Sequence, residues 1–164
     1  LFPYTTLFRS AQRLNCDAWL LPSQSIEGSM EERNRLLASK DVADVVSRFD
    51  EVDIAIVGIG ILEPSQLLKT SGNYYHEDML QVLAARGAVG DICLHYYDKN
   101  GHPVLRDDED PVIGMALEKV KKCPNVVALA GGTDKVAAIK GALTGGYIDV
   151  LITDYPTARM LVSD

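Results

Sequence analysis

Residues 126–135 read Val126-Val127-Ala128-Leu129-Ala130-Gly131-Gly132-Thr133-Asp134-Lys135. Five apolar residues in a row suit a strand buried on both faces of a sheet. Two glycines then let the backbone turn tightly and come close to a ligand. An Ala-rich stretch from Lys135 to Leu143 follows and ends near Gly145-Gly146, so a helix is predicted there. Ile148-Asp149-Val150-Leu151-Ile152 reads as the next strand. Thr153-Asp154 is placed to cap a last helix from Pro156 to Val162, with Pro in its first turn. Strand, glycine turn, helix, strand, helix is the order of a parallel α/β sheet.

Upstream, Ile54-Ala55-Ile56-Val57 is another continuous apolar run, set between Asp53 and Gly58. It predicts a second buried strand, and right-handed crossovers place helices on both faces of such a sheet. Met79, Leu80, Val82 and Leu83 fall at helical spacing between His76 and Arg86, and Gly87 stops that helix. Ile92 to Tyr97 is β-rich and Asp98-Lys99-Asn100-Gly101 is a turn sequence. Together they predict a small hairpin inserted into the α/β pattern. Asp107-Asp108-Glu109-Asp110 reads as a solvated loop, with a cation site as the alternative.

Nearer the start, Ser29 and Glu32 have capping-box spacing and predict a helix through about Leu37. Asp41 is placed to cap the next one, which carries Val42, Val45 and Val46. Ala18 to Leu21, ended by Pro22, reads as a short strand. Leu1 to Ser10 shows no start Met and no clear periodicity, and is read as a non-native leader. The domain is then 11–164, incomplete at its N-terminus.

A chain of 164 residues, 47% hydrophobic and 24% charged, suits one soluble domain with a sizeable core. Its net charge of −7 argues against binding nucleic acid directly, because phosphate neutralisation needs clustered Lys and Arg. A small anion is still within reach of backbone N–H groups and one lysine. No apolar stretch approaches the ~20 residues of a membrane span, and no signal peptide is visible. A cytoplasmic protein without membrane contact is expected. Cys16, Cys93 and Cys123 are far apart and form no CxxC pair, so neither zinc nor a disulfide is indicated. His76, His95 and His102 share no ligand spacing. No metal and no cofactor are expected, and no G-x-S-x-G or nucleophile–base pattern is present.

In open α/β sheets ligands bind beyond the carboxyl ends of the strands. Three segments leave such ends. Gly131-Gly132 with Lys135 can form an anion cradle, or an ordinary strand-to-helix turn. Val57-Gly58-Ile59-Gly60 opens room at a second strand end, or simply packs closely. It lacks the third glycine of a dinucleotide site. Gly87-Ala88-Val89-Gly90-Asp91-Ile92-Cys93 sets a carboxylate with two acceptor oxygens at an apolar strand, or a structural cap.

These segments, with Val112-Ile113-Gly114 and with Ile148 to Asp154 followed by Thr157-Ala158-Arg159, stand in an order that resembles the effector-binding domain of SorC/DeoR-type transcription regulators. That family includes the deoxyribonucleoside, sorbitol, central glycolytic and autoinducer-2 regulators. The likeness runs from about Ala11 to the C-terminus. It implies a Rossmann-like sheet with a small inserted subdomain, similar to sugar-phosphate isomerases and CoA transferases. It implies that a phosphorylated sugar binds and controls a helix-turn-helix that this chain does not contain. DNA would be reached only through that missing part. It also implies a homo-oligomer, dimer or tetramer. By the same likeness Lys135 meets the phosphate, and Asp91 meets ligand hydroxyls with Cys93 nearby. Gly131 and Gly132 supply backbone contacts, and Gly58 and Gly60 line the pocket. The family's upstream Gly-Gly-Thr/Ser loop is not matched. An isomerase-like enzyme of the same fold, with Asp91 as general base, and a module with a degenerate pocket are the alternatives.

Overall fold

Three parallel strands carry the fold: β1 (Ile54–Gly58), β4 (Asn125–Leu129) and β5 (Val150–Ile152), in the order β1-β4-β5. Ala55 pairs with Val126, Val57 with Ala128, and Leu129 with Ile152. Parallel neighbours need a crossover. Here β4 returns to β5 through a 3-10 turn (Thr133–Lys135) and α7 (Val136–Gly145), which Gly146 ends in the left-handed conformation, φ 69°. The final helix, α8 (Tyr155–Val162), is capped by Asp154, whose carboxylate accepts from the Thr157 N–H at 2.9 Å. The computed structural model describes residues 3–64, 66–71 and 74–163.

One face of the sheet is packed. Ala55, Val57, Val126 and Ala128 meet Ala138, Ile139 and Ala142 of α7, and Leu117 and Val120 of α6 (Leu117–Lys122). On the other face Ile54 and Ile56 are 63% and 73% exposed, and Leu129, Val150 and Ile152 are exposed as well. The apolar runs predicted strands buried on both sides. They alternate instead, because none of the described residues covers their second face.

The inserted piece is an antiparallel pair, β2 (Ala88–Ile92) and β3 (His95–Asp98). Its turn is the two residues Cys93 and Leu94, both in the left-handed region, at φ 54° and 67°. Such primed turns match the twist of a hairpin but normally use Gly, Asn or Asp, so the sequence reading ran one strand through them. The Asp98–Gly101 turn is present as predicted. The Asp98 Oδ1 accepts from the N–H groups of Asn100 (2.9 Å) and His102 (2.8 Å). A second apolar cluster, with Tyr75, Leu83, Tyr96, Leu105 and Val112, sits beneath this hairpin. Leu83 belongs to α5 (Glu77–Ala85). Gly90 lets the two parts meet, since a Cβ there would stand 2.5 Å from the Ala138 Cβ of α7.

The α/β class and the inserted hairpin agree with the sequence reading. Of the early elements, α2 (Met30–Leu37) begins at Ser29, whose hydroxyl accepts from the Glu32 N–H at 3.1 Å. The next helix, α3 (Lys40–Val46), starts after Ser39, so Asp41 lies in its first turn and does not cap it. Ala18 to Leu21 forms no strand. The first helix, α1 (Pro3–Leu14), runs across the boundary drawn at residue 10. Leu1 and Phe2 of the predicted leader lie outside the described residues. A short helix, α4 (Gln66–Ser71), follows β1. Among the described residues, no helix is long and apolar enough to cross a membrane.

Candidate functional site

A cavity of about 580 Å³ opens beyond the carboxyl end of β1. Its wall contains Gly58 and Gly60 from the strand exit, Asp91 and Cys93 from the hairpin, and Lys135 from the turn before α7. These five sequence candidates come from three separate segments and meet at one place. Gly131 and Gly132 do not line it.

Asp91 is the buried charge of the site, 7% exposed. It is placed by a two-way backbone bridge. The Gly60 N–H donates to the Asp91 carbonyl at 3.0 Å, and the Asp91 N–H donates to the Gly60 carbonyl at 3.3 Å. The Asp91 carboxylate lies so close over Gly60 that a Cβ on that residue would fall 1.9 Å from Oδ1. Gly60 is therefore required by close approach. Gly58 is not, since a Cβ there would meet nothing within 4 Å. The other carboxylate oxygen accepts from the Leu94 N–H at 3.1 Å, which steadies the Cys93–Leu94 turn. Burial pushes the Asp91 carboxyl up to about 6, against the opposing pull of the Leu94 N–H, Lys135 and His95.

Lys135 reaches from the start of α7 to the end of β1, where its ammonium donates to the Ile59 carbonyl at 2.7 Å. It is half-buried and carries three donors, so it can also face an anion in the cavity. The Cys93 residue is exposed at the wall, yet its thiol is crowded by packed atoms and faces the Asp91 charge. Both effects push it up to about 11, so it stays a neutral thiol near pH 7.

The Gly-Gly turn has a different use here. The Gly132 N–H donates to Asp154 Oδ2 at 2.7 Å and to Thr157 Oγ1 at 3.0 Å. Gly132 is left-handed, φ 113°. The Gly132 amide thus clamps the turn onto the cap of α8.

Sequence reasoning missed Glu63, Pro64, Leu68, Lys69, Leu94 and Asp134 among the lining residues. Lys69 is the cavity's second cation, held 3.6 Å from Glu63. A single lysine after an apolar pair carries no signal that could have singled it out. Among the described residues, no group of three or more His, Cys, Asp or Glu could hold a metal ion.

Residues 1–163 match a protein-family model described as "Putative sugar-binding domain". The chain is similar to the sorbitol operon regulator of Klebsiella pneumoniae, 29% identical over 161 residues, which is 96% of this chain and 50% of that protein. It is also similar to the deoxyribonucleoside regulator of Bacillus subtilis (strain 168), 31% identical over 144 residues, covering 88% of this chain and 45% of the relative. A solved structure described as "Putative sugar-binding domain of transcriptional regulator DeoR from Pseudomonas syringae pv. tomato" matches with a TM-score of 0.67 at 46% identity, over 94% of this chain and 54% of that one. The chain spans about half the length of the curated relatives it matches.

Proposed function

This chain belongs to the sugar-binding domain family, and on that premise we propose that it is the effector-sensing domain of a transcription regulator. The observation that carries this reading is the cavity in which Lys135, Asp91 and Gly60 converge beyond a parallel strand end. The effector is a phosphorylated sugar. Lys135 meets the phosphoryl group as a point charge, and Asp91 accepts hydrogen bonds from sugar hydroxyls. Gly58, Gly60 and Cys93 shape the wall. Gly131 and Gly132 act indirectly, by holding Lys135 and α8 in register.

The domain binds and does not turn over its ligand. DNA is the second partner and is engaged by a separate domain of the regulator in the cytoplasm. Linkage then requires effector and DNA to alter each other's affinity equally. The regulator assembles as a dimer or tetramer.

The test is a thermal-shift screen with ribose 5-phosphate, fructose 6-phosphate, their unphosphorylated sugars and inorganic phosphate. A shift that grows with the logarithm of sugar-phosphate concentration, absent with its parent sugar and lost in Lys135→Ala, is the expected result. Steady product formation would overturn the sensing reading in favour of the isomerase-like alternative. A cooperative melt unmoved by every probe would favour a degenerate pocket.

A further inference from the structure

A buried polar network lies behind the cavity wall and contributes no residue to it. Asp110 is its centre, 8% exposed. The Tyr75 hydroxyl donates to Asp110 Oδ1 at 2.9 Å, and the Val112 N–H donates to the same oxygen at 3.1 Å. His95 Nδ1 is 2.7 Å from Asp110 Oδ2. Burial raises the Asp110 carboxyl, but the bonds from His95, Val112 and Tyr75 outweigh it and hold the group below its ordinary value. It is therefore a carboxylate, an acceptor only, so His95 must donate through Nδ1–H. The His95 Nε2 is buried beside Gly114 and, among the described residues, has no hydrogen-bond partner.

Burying a carboxylate, an imidazole and a phenol together is costly, and apolar packing of the same volume is often as stable. What the network adds is geometry. His95 opens β3, directly after the turn that carries Cys93 and Leu94 into the cavity wall, and its cross-strand partner is Ile92, next to Asp91. Tyr75 stands four residues beyond the end of α4, the helix whose Leu68 and Lys69 also line the cavity. The Tyr75 ring is 4% exposed and packs edge-on against Tyr96 of β3, with centroids 5.7 Å apart. One carboxylate thus holds two segments, each of which has a near sequence neighbour in the cavity wall.

We infer that Asp110 is a positioning residue for effector binding: by holding Tyr75 and His95 at once, it sets the spacing between the α4 rim and the hairpin that bears Asp91. The inference deepens the proposed function and rests on that cavity being the effector site. It makes Lys69 a cation delivered to the cavity by a rim of defined position.

Amide hydrogen exchange on the 164-residue chain, with Tyr75→Phe and Asp110→Asn, tests it without any ligand. Tyr75→Phe deletes one hydroxyl and keeps the ring packing. The expected result is exchange about tenfold faster in α4 and in residues 91–95, with β1 and β4 unchanged. A purely structural role would lower the Tm and raise exchange across the core with no preference for those two segments, and that result would overturn the inference. So would unchanged exchange in both variants. In a second arm, calorimetry with ribose 5-phosphate is expected to show binding about fivefold weaker in Tyr75→Phe. Parent-like affinity in both variants also overturns it. If the parent binds no sugar phosphate, the effector reading fails, and the exchange arm still decides the spacing role.

Discussion

Two glycines two positions apart make opposite demands. A methyl at Gly60 would collide with the Asp91 carboxylate, whereas one at Gly58 would meet nothing within 4 Å. Gly60→Ala is therefore expected to displace Asp91, lower the Tm and abolish sugar-phosphate binding. Gly58→Ala is expected to leave the Tm within about 1–2 °C of the parent. Thermal melts of the pair decide this, and equal effects would sink the steric account. Asp91 supplies a second expectation. Its carboxyl is raised from 3.8 to about 6, so between those values the folded chain holds a proton that the unfolded chain has released. The stability tied to that proton is present below pH 4 and is lost as the pH rises to about 6, then stays level. Two pH units correspond to about 3 kcal/mol at most. Asp91→Asn removes this dependence, so its Tm is expected to gain on the parent's as the pH goes from 4 to 6.5. A constant difference across that range would show that Asp91 does not titrate there.

At the scale of elements, β1 shows how far an apolar run can mislead. Ile54-Ala55-Ile56-Val57 looks uniformly buried, but its residues alternate between the packed face and the open one. Val57 is 9% exposed and Ile56 is 73% exposed. Val57→Ala is expected to cost about 2 kcal/mol through lost contacts and a cavity. Ile56→Ala is expected to stay within about 0.5 kcal/mol. Chemical denaturation of both variants checks the contrast, and comparable losses would mean that the second face is covered in solution. The helices were more legible than the strands. Ser29 before α2 and Asp154 before α8 cap as their spacing predicts, because a cap is a local bond between near neighbours. The Cys93–Leu94 turn was not legible, because its left-handed residues are ones that usually avoid that conformation. They are held there by the Asp91 carboxylate and the hairpin around them.

For the molecule as a whole, the proposed effector raises the question of how a chain of net charge −7 would accept an anion. The answer in this fold is local. Lys135 and Lys69 reach the cavity from two different segments, beside Glu63, Asp91 and Asp134 in the same wall, so an anion would be met by these two ammonium groups individually and not by an excess of positive charge. The acidic run shows the same sorting. Asp107 and Asp108 are exposed, Glu109 pairs with Arg86, and Asp110 is buried on His95 and Tyr75. A sugar phosphate at a hundred times its Kd would stabilise the folded chain by about 2.7 kcal/mol. That corresponds to a Tm rise of roughly 5–10 °C at this length. The rise should follow the logarithm of ligand concentration, and a shift that saturates well below that slope would indicate binding to the unfolded chain as well.

The sequence alone determined what depends on neighbours along the chain. It set the order of the elements from β4 to α8, the caps at Ser29 and Asp154, the turn at Asp98–Gly101, and a family resemblance that pointed to Lys135 and Asp91. Periodicity, capping and turn chemistry act over a few residues, so they can be read in one dimension. Tertiary structure alone decided which strand face is packed and that Gly132 spends its amide on Asp154 and Thr157. It alone brought Tyr75, His95 and Asp110 onto one another across the inserted subdomain. Those outcomes depend on contacts between residues 15 to 35 positions apart, whose energy is gained only when the chain has closed on itself.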